Sequence, residues 1–294
     1  MKSDDLDFVN ISIIGKRGKE FKEFISSLLR RTNLSKKYIQ ELLKEEHIKL
    51  FQQAFTHKVI HPVENYEFFE ILGDVTWNKA IVWYLKERFP FLNNSDGVKV
   101  IARLKINLVS RESFSKWAEE LGFEHFISYD LETKMKHNSA VMEDCLEAFI
   151  GVTEYLIDSL FQKCGYYFCF QFVKSLLDEK KISLLYEDLY DPITRLKETF
   201  DFYTSIHLKN SCPYIWGTMK FESKKKEEGG HVVKLIQKGC GKEITLLTDE
   251  GNFLTEIKHK MCFNYLDFLK SKGYSKPVPL YYKEIETCRQ QLEM

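Results

Sequence analysis

Segment 65–74 reads NYEFFEILGD and places Glu67, Glu70 and Asp74 at i, i+3 and i+7, interleaved with Phe68, Phe69, Ile71 and Leu72. On a helix the three carboxylates fall along one stripe. A second acidic pair stands in MEDCLEAFIG, where Asp144 and Glu147 are i, i+3 on an otherwise apolar stretch, and Gly151 follows as Gly73 does in the first segment. Carboxylates beside a core lose hydration and repel one another, so basic side chains or a divalent cation must neutralise them. Any one of these acids alone reads as an ordinary salt bridge or a surface acid. Four of them on two apolar helices that pack together read as a cluster of oxygen donors with too little Lys or Arg nearby to cancel it. Such a donor set suits Mg²⁺, with Mn²⁺ as a substitute, rather than zinc.

Other candidate constellations are weaker. His57 and His61 have the i, i+4 spacing of a zinc pair, but Pro62 follows at once and the HEXXH pattern is absent, so both read as structural. Cys145 lies between Asp144 and Glu147 and reads as core. GKRGKE lacks the GxxxxGK[ST] form of a phosphate-binding loop and reads as a solvated helix start. The seven cysteines are odd in number and form no CxxC pair, which fits reduced thiols in a reducing compartment. Lys+Arg and Asp+Glu both number 43, so any surface for a polyanion must be local. The longest apolar run is too short to cross a bilayer and no signal-peptide shape opens the chain, which predicts a soluble, intracellular protein.

The elements that position these acids are helices. After a polar opening, FKEFISSLLRR puts Phe21, Phe24, Ile25, Leu28 and Leu29 on one helical face, and residues 1–32 read as an N-terminal extension. From 36 to 184 helix follows helix with almost no strand signal. Asp191-Pro192 then opens a new helix, and three β-like runs, YIWGTMKFES, HVVKLIQKG and KEITLLTD, follow with KKKEEGG, GCG and EGN around them. IKHKMCFNYLDFLKSKG closes the pattern as a helix. The organisation predicted is an all-α domain over 33–184, a small α-β-β-β-α domain over 190–273 and a tail over 274–294.

The two acidic motifs carry a family resemblance. NYEFFEILGD resembles the ribonuclease III signature, and MEDCLEAFIG resembles that family's second motif. QQAFTHK and ARLKINLVSRESFSKWAEELG are similar to the segments before the signature and between the motifs, so the likeness covers residues 36–178. Val75, Thr76 and Trp77 after the signature aspartate are bulkier than the family pattern. The resemblance implies an all-α endonuclease domain of the ribonuclease III fold, with Glu70, Asp74, Asp144 and Glu147 as catalytic, metal-binding acids. Glu67 matches a further acidic position, and Asp96 in NSDGVKV matches an acidic position before the intervening helix. The implied activity is metal-assisted hydrolysis of double-stranded RNA, leaving 5′-phosphate and 3′-hydroxyl ends, by a homodimer joined through the signature helix. A phosphodiester needs an activated water and a stabilised leaving oxygen, and metal ions supply both without a serine or cysteine nucleophile.

Residues 191–273 resemble a double-stranded RNA-binding domain. Glu198 matches the first-helix position that reaches the minor groove, His231 the loop histidine, and Lys258, His259 and Lys260 the basic start of the last helix. Such domains read the shape of A-form RNA through 2′-hydroxyls and phosphates. Met261 and Cys262 replace small alanines, and the excess of Lys and Arg over Asp and Glu in this region is slight. The KKKEE run reads equally as a solvated loop or an RNA contact. The rival reading is a catalytically silent ribonuclease III-like scaffold or RNA-binding subunit, which would be expected to lack one or more of the acids; all four are here. A generic helical interaction module would show no RNA affinity.

Overall fold

The amphipathic spacing of the first half of the chain is realised as a run of packed helices. The protein is described by a computed structural model covering residues 11–161, 163–210, 216–227, 229–239 and 241–292, with the side chains of 207–210, 286 and 288–292 excluded. The chain divides into two units, Met1–Ile182 and Ser183–Met294.

In the first unit β1 (Ser12–Ile13) leads into α1 (Gly18–Arg30), α2 (Lys36–Leu42), α3 (Glu45–Ala54), α4 (Glu67–Arg88), α5 (Gly97–Leu108), α6 (Arg111–Glu120), β2 (Tyr129–Asp130), α7 (Leu131–Leu160) and α8 (Gly165–Asp178). Residues 18–30, which the sequence sets apart as part of an extension, form α1, and Phe21, Ile25 and Leu29 are fully buried within this unit. β1 pairs antiparallel with β2, tying the start of the chain to the entrance of α7. Local signals set the helix starts. The Ser110 side chain accepts from the Ser113 amide at α6, and Asp130 Oδ1 accepts from the Thr133 amide at α7, each satisfying a donor the helix leaves free. The core is aromatic: Phe55, Phe123, Phe149, Phe172 and Trp77 have no exposed surface, and burying a side chain of this size contributes about 1.5–3 kcal/mol.

The central contact is between α4 and α7. Two glycines make it close. A Cβ on Gly73 would lie 1.8 Å from the Glu147 carbonyl oxygen, and one on Gly151 would lie 2.0 Å from that of Phe69. Neither position admits a side chain at this separation, so the two helix backbones meet where the acidic residues branch off.

The second unit contains α9 (Tyr186–Leu189), α10 (Pro192–Asn210), β3 (Thr218–Lys225), β4 (His231–Gly239), β5 (Lys242–Gly251), α11 (Leu254–Ser271) and α12 (Leu280–Leu292). Asp191 Oδ1 accepts from the Ile193 and Thr194 amides and so caps α10, with Pro192 at its first position. The three strands form an antiparallel sheet in the order β3-β4-β5, with an irregularity at Leu235/Ile236. Leu196 and Phe200 of α10, Val233 and Leu235 of β4, and Ile257, Met261, Cys262 and Leu269 of α11 make its core with Trp216. Met261 and Cys262, the departures from small alanine, are therefore core residues. In the tail, α12 buries Tyr282 edge-on against Tyr186. Cys145, Cys164, Cys169 and Cys262 are free thiols; Cys212, Cys240 and the side chain of Cys288 lie outside the described residues.

Candidate metal centre

Glu70 sits one turn into α4, and Asp144 and Glu147 sit one turn apart on α7, on either side of the glycine contact. The fold brings these three together: each offers a carboxylate oxygen within 4.8 Å of the others, and no other such group of three or more His, Cys, Asp or Glu side chains occurs among the described residues. Glu147 is buried, at 8% exposure, and Glu70 and Asp144 are half-buried. Burial, and then repulsion from Asp144, pushes the Glu70 carboxyl up to about 7. Burial, and then the Asp74 carboxylate, pushes Glu147 up to about 9. Asp144 is raised as well, chiefly by burial. Without an ion the cluster relieves its charge by holding protons.

Asp74 stands beside this trio. Its charge is the largest electrostatic influence on Glu147, yet its Oδ1 accepts from the Asn78 side-chain amide at 2.6 Å and the residue is exposed. Glu67 is exposed and bridges to Lys58 at 2.7 Å. Asp96 is exposed at the start of α5 and pairs with Lys99 at 2.8 Å. His57 and His61 are in no metal group: the His57 ring nitrogen accepts from the Val59 amide at 3.2 Å, and that of His61 from the Glu64 amide at 2.7 Å. Cys145 is fully buried.

Several contributors escape a reading of the sequence. Glu143, next to Asp144, adds a negative charge felt by all three acids and is bridged by Arg111 at 2.6 Å. Lys58 and Arg111 are thus the cations at the rim, each engaged with a carboxylate outside the trio. Tyr66 donates from its hydroxyl to Asp144 Oδ2 at 2.9 Å. Farther back, the Arg17 guanidinium is desolvated, donates to Ser128 Oγ at 2.8 Å and to the Phe126 carbonyl, and lies 5.2 Å from the centre of the Phe21 ring. It braces the segment that carries Ser128 and its bridge to Thr56. No motif signals it; its position in GKRGKE suggests solvent.

In the second unit the residues singled out for RNA are largely engaged. Glu198 accepts from the Tyr186 hydroxyl at 2.5 Å and from Lys276 at 2.6 Å. α11 begins at Leu254, so Lys258, His259 and Lys260 lie in its second turn. The Lys258 ammonium is 5.3 Å from the Phe221 ring centre, and Lys260 pairs with Asp249 at 2.8 Å. His231 opens β4 opposite Lys225 and Gly251.

The family model described as the Ribonuclease III domain matches residues 67–155, the stretch from α4 to α7 that holds all four acids. A protein of Invertebrate iridescent virus 6 described as a ribonuclease 3 is 35% identical over 76% of this chain and 77% of its own length. One of Frog virus 3 with the same description is 39% identical over 52% of this chain and 42% of its own. Among solved structures, the nuclease domain of ribonuclease III from Campylobacter jejuni has 22% identity and a TM-score of 0.42, covering 55% of this chain and 97% of that one.

Proposed function

Because the chain belongs to the ribonuclease III family, we propose that it is an endoribonuclease that hydrolyses double-stranded RNA, using a divalent ion held by Glu70, Asp144 and Glu147 with Asp74 as the fourth acid. The observation that carries this reading is the convergence of three carboxylates, from two helices, at the one place where Gly73 and Gly151 let those helices touch. The donors fit a hard cation: all are carboxylate oxygens, and the cations nearest to them, Lys58 and Arg111, are bound to other acids. We propose Mg²⁺, with Mn²⁺ as a substitute. When bound, the ion supplies the acidified water and the stabilisation of the leaving 3′ oxygen that phosphodiester hydrolysis demands.

The chain's own residues set the stage for that chemistry. Glu147, in the most buried position, offers an anionic oxygen where little water competes for it. Lys58 and Arg111 at the rim are placed to exchange their carboxylate partners for RNA phosphates. The ends produced are 5′-phosphate and 3′-hydroxyl. Phe68, Ile71 and Val75 form an exposed apolar stripe on α4, at 63%, 69% and 62% exposure, and we propose it as the seam of a homodimer in which two centres address opposite strands. Glu67 and Asp96 are auxiliary acids in this reading. In the second unit, Glu198, His231, Lys258, His259 and Lys260 are the proposed RNA-facing residues. A silent scaffold is not favoured, since none of the four acids is missing.

The test is incubation of the purified chain with end-labelled duplex RNA and Mg²⁺, beside the separate single strands. Duplex-selective cleavage to 5′-phosphate products is expected. Duplex left intact by folded protein contradicts the proposal.

A further inference from the structure

Tyr66 immediately precedes α4 and is only 4% exposed. Its backbone is held on both sides: its amide donates to the Thr56 carbonyl at 3.1 Å, and its carbonyl accepts from the Glu70 amide at 2.9 Å. The ring stands edge-on to His57, with centroids 5.7 Å apart. From this fixed base the hydroxyl reaches across to α7 and donates to Asp144 Oδ2 at 2.9 Å. One buried side chain therefore joins the helix that carries Glu70 to the carboxylate that faces it.

An aspartate on a helix face can turn about its side-chain bonds, and Asp144 feels two cations, Arg111 and Lys58, that are each paired with another carboxylate. A hydroxyl donor on one carboxylate oxygen fixes the plane of the group and leaves the other oxygen's lone pairs free. It also adds no positive charge, so it orients the acid without neutralising it, as a lysine in the same place would. Its partner acid is then pre-arranged rather than arranged by the ion.

We propose that Tyr66 is a positioning residue of the metal centre, its hydroxyl holding the Asp144 carboxylate in the orientation that receives a divalent cation together with Glu70 and Glu147. The inference rests on the metal-site reading above. Groups that orient metal ligands in this way typically change metal affinity or activity by about 10- to 100-fold when removed.

The test is Mn²⁺ binding to the chelator-stripped full chain, measured by isothermal titration calorimetry and paired with the Mn²⁺ dependence of duplex RNA cleavage. Tyr66→Phe keeps the ring and its contact with His57 and removes only the hydroxyl. The dissociation constant for Mn²⁺ should rise about tenfold or more, and cleavage should recover most of the wild-type rate once Mn²⁺ is raised to saturation. A residue that served packing alone would change the melting temperature in chelator and leave Mn²⁺ affinity where it was. Unchanged affinity in folded Tyr66→Phe overturns the proposal, and unchanged affinity in folded Tyr66→Leu, which loses the hydroxyl together with the ring, overturns it equally if the phenylalanine variant does not fold. Wild-type protein that binds no Mn²⁺, or Glu147→Gln protein that binds it as tightly as wild type, overturns the metal-site reading and this inference together. Wild-type binding that Tyr66→Phe leaves intact overturns this inference alone.

Discussion

Glu147 is the most buried of the site's acids, and its titration is the plainest consequence of the site. Burial and the neighbouring Asp74 carboxylate raise it from 4.5 to about 9 in the metal-free protein. An acid with a folded pKa above its unfolded value binds its proton more tightly when folded, so it opposes folding increasingly as pH rises from about 4.5 toward 9. Glu147→Gln removes that penalty while preserving size. In chelator at pH 8 the glutamine variant should melt at a higher temperature than wild type, and the gap should close toward pH 5; calorimetric melting across this range checks it, and a constant gap would show that Glu147 is not held protonated. At this scale the sequence was partly legible. The i, i+3 acids marked Glu70, Asp144 and Glu147 because spacing on a helix is read directly from the chain. That Asp74 stands beside the trio, exposed and paired with Asn78 one turn on, was not, since the spacing that allows an i, i+4 pair does not say whether the carboxylate turns to it or to the acids of the other helix. Tyr66 was hidden because an aromatic residue beside apolar neighbours reads as packing.

The pair of helices α4 and α7 turns two local motifs into one site. Each motif could be seen in the sequence with its glycine. What the sequence could not give was that each glycine faces the other helix's backbone, because that depends on the crossing of elements 70 residues apart between Asp74 and Asp144. The physical reason is steric: a methyl group 1.8 Å from a carbonyl oxygen must push the helices apart. Gly73→Ala should therefore destabilise the protein by about 1–3 kcal/mol, the usual range for overpacking, and weaken Mn²⁺ binding with it. Denaturant unfolding and metal titration of the same preparation measure both effects. Loss of stability with unchanged metal affinity would separate the helix contact from the site. Helix α1 teaches the converse. Its apolar face, Phe21 to Leu29, was evident from spacing, yet spacing alone does not say what covers a face, so residues 1–32 read only as an N-terminal extension.

In the proposed reading the acids lie in the first unit and the basic helix that grips duplex RNA in the second, so the metal and salt dependences should separate. Lys258 and Lys260 carry charges near the start of α11, whereas the acids are all in the first unit. Changing both lysines to alanine should weaken binding of fluorescent duplex RNA and make the plot of log affinity against log salt shallower by about one to two, with Mn²⁺ affinity unchanged; an unaltered salt slope would remove these residues from the interface. The α-β-β-β-α order of this unit was legible because strand and helix periods differ. The engagement of Glu198 by Tyr186 and Lys276 was not, since it joins residues 12 and 78 positions away. The central claim, that Glu70, Asp144 and Glu147 with Asp74 beside them form a divalent-metal centre, is tested most directly by anomalous scattering at the manganese edge from crystals of the protein grown with Mn²⁺. The account predicts a peak between Glu70, Asp144 and Glu147; full Mn²⁺ occupancy elsewhere with no peak there would contradict it.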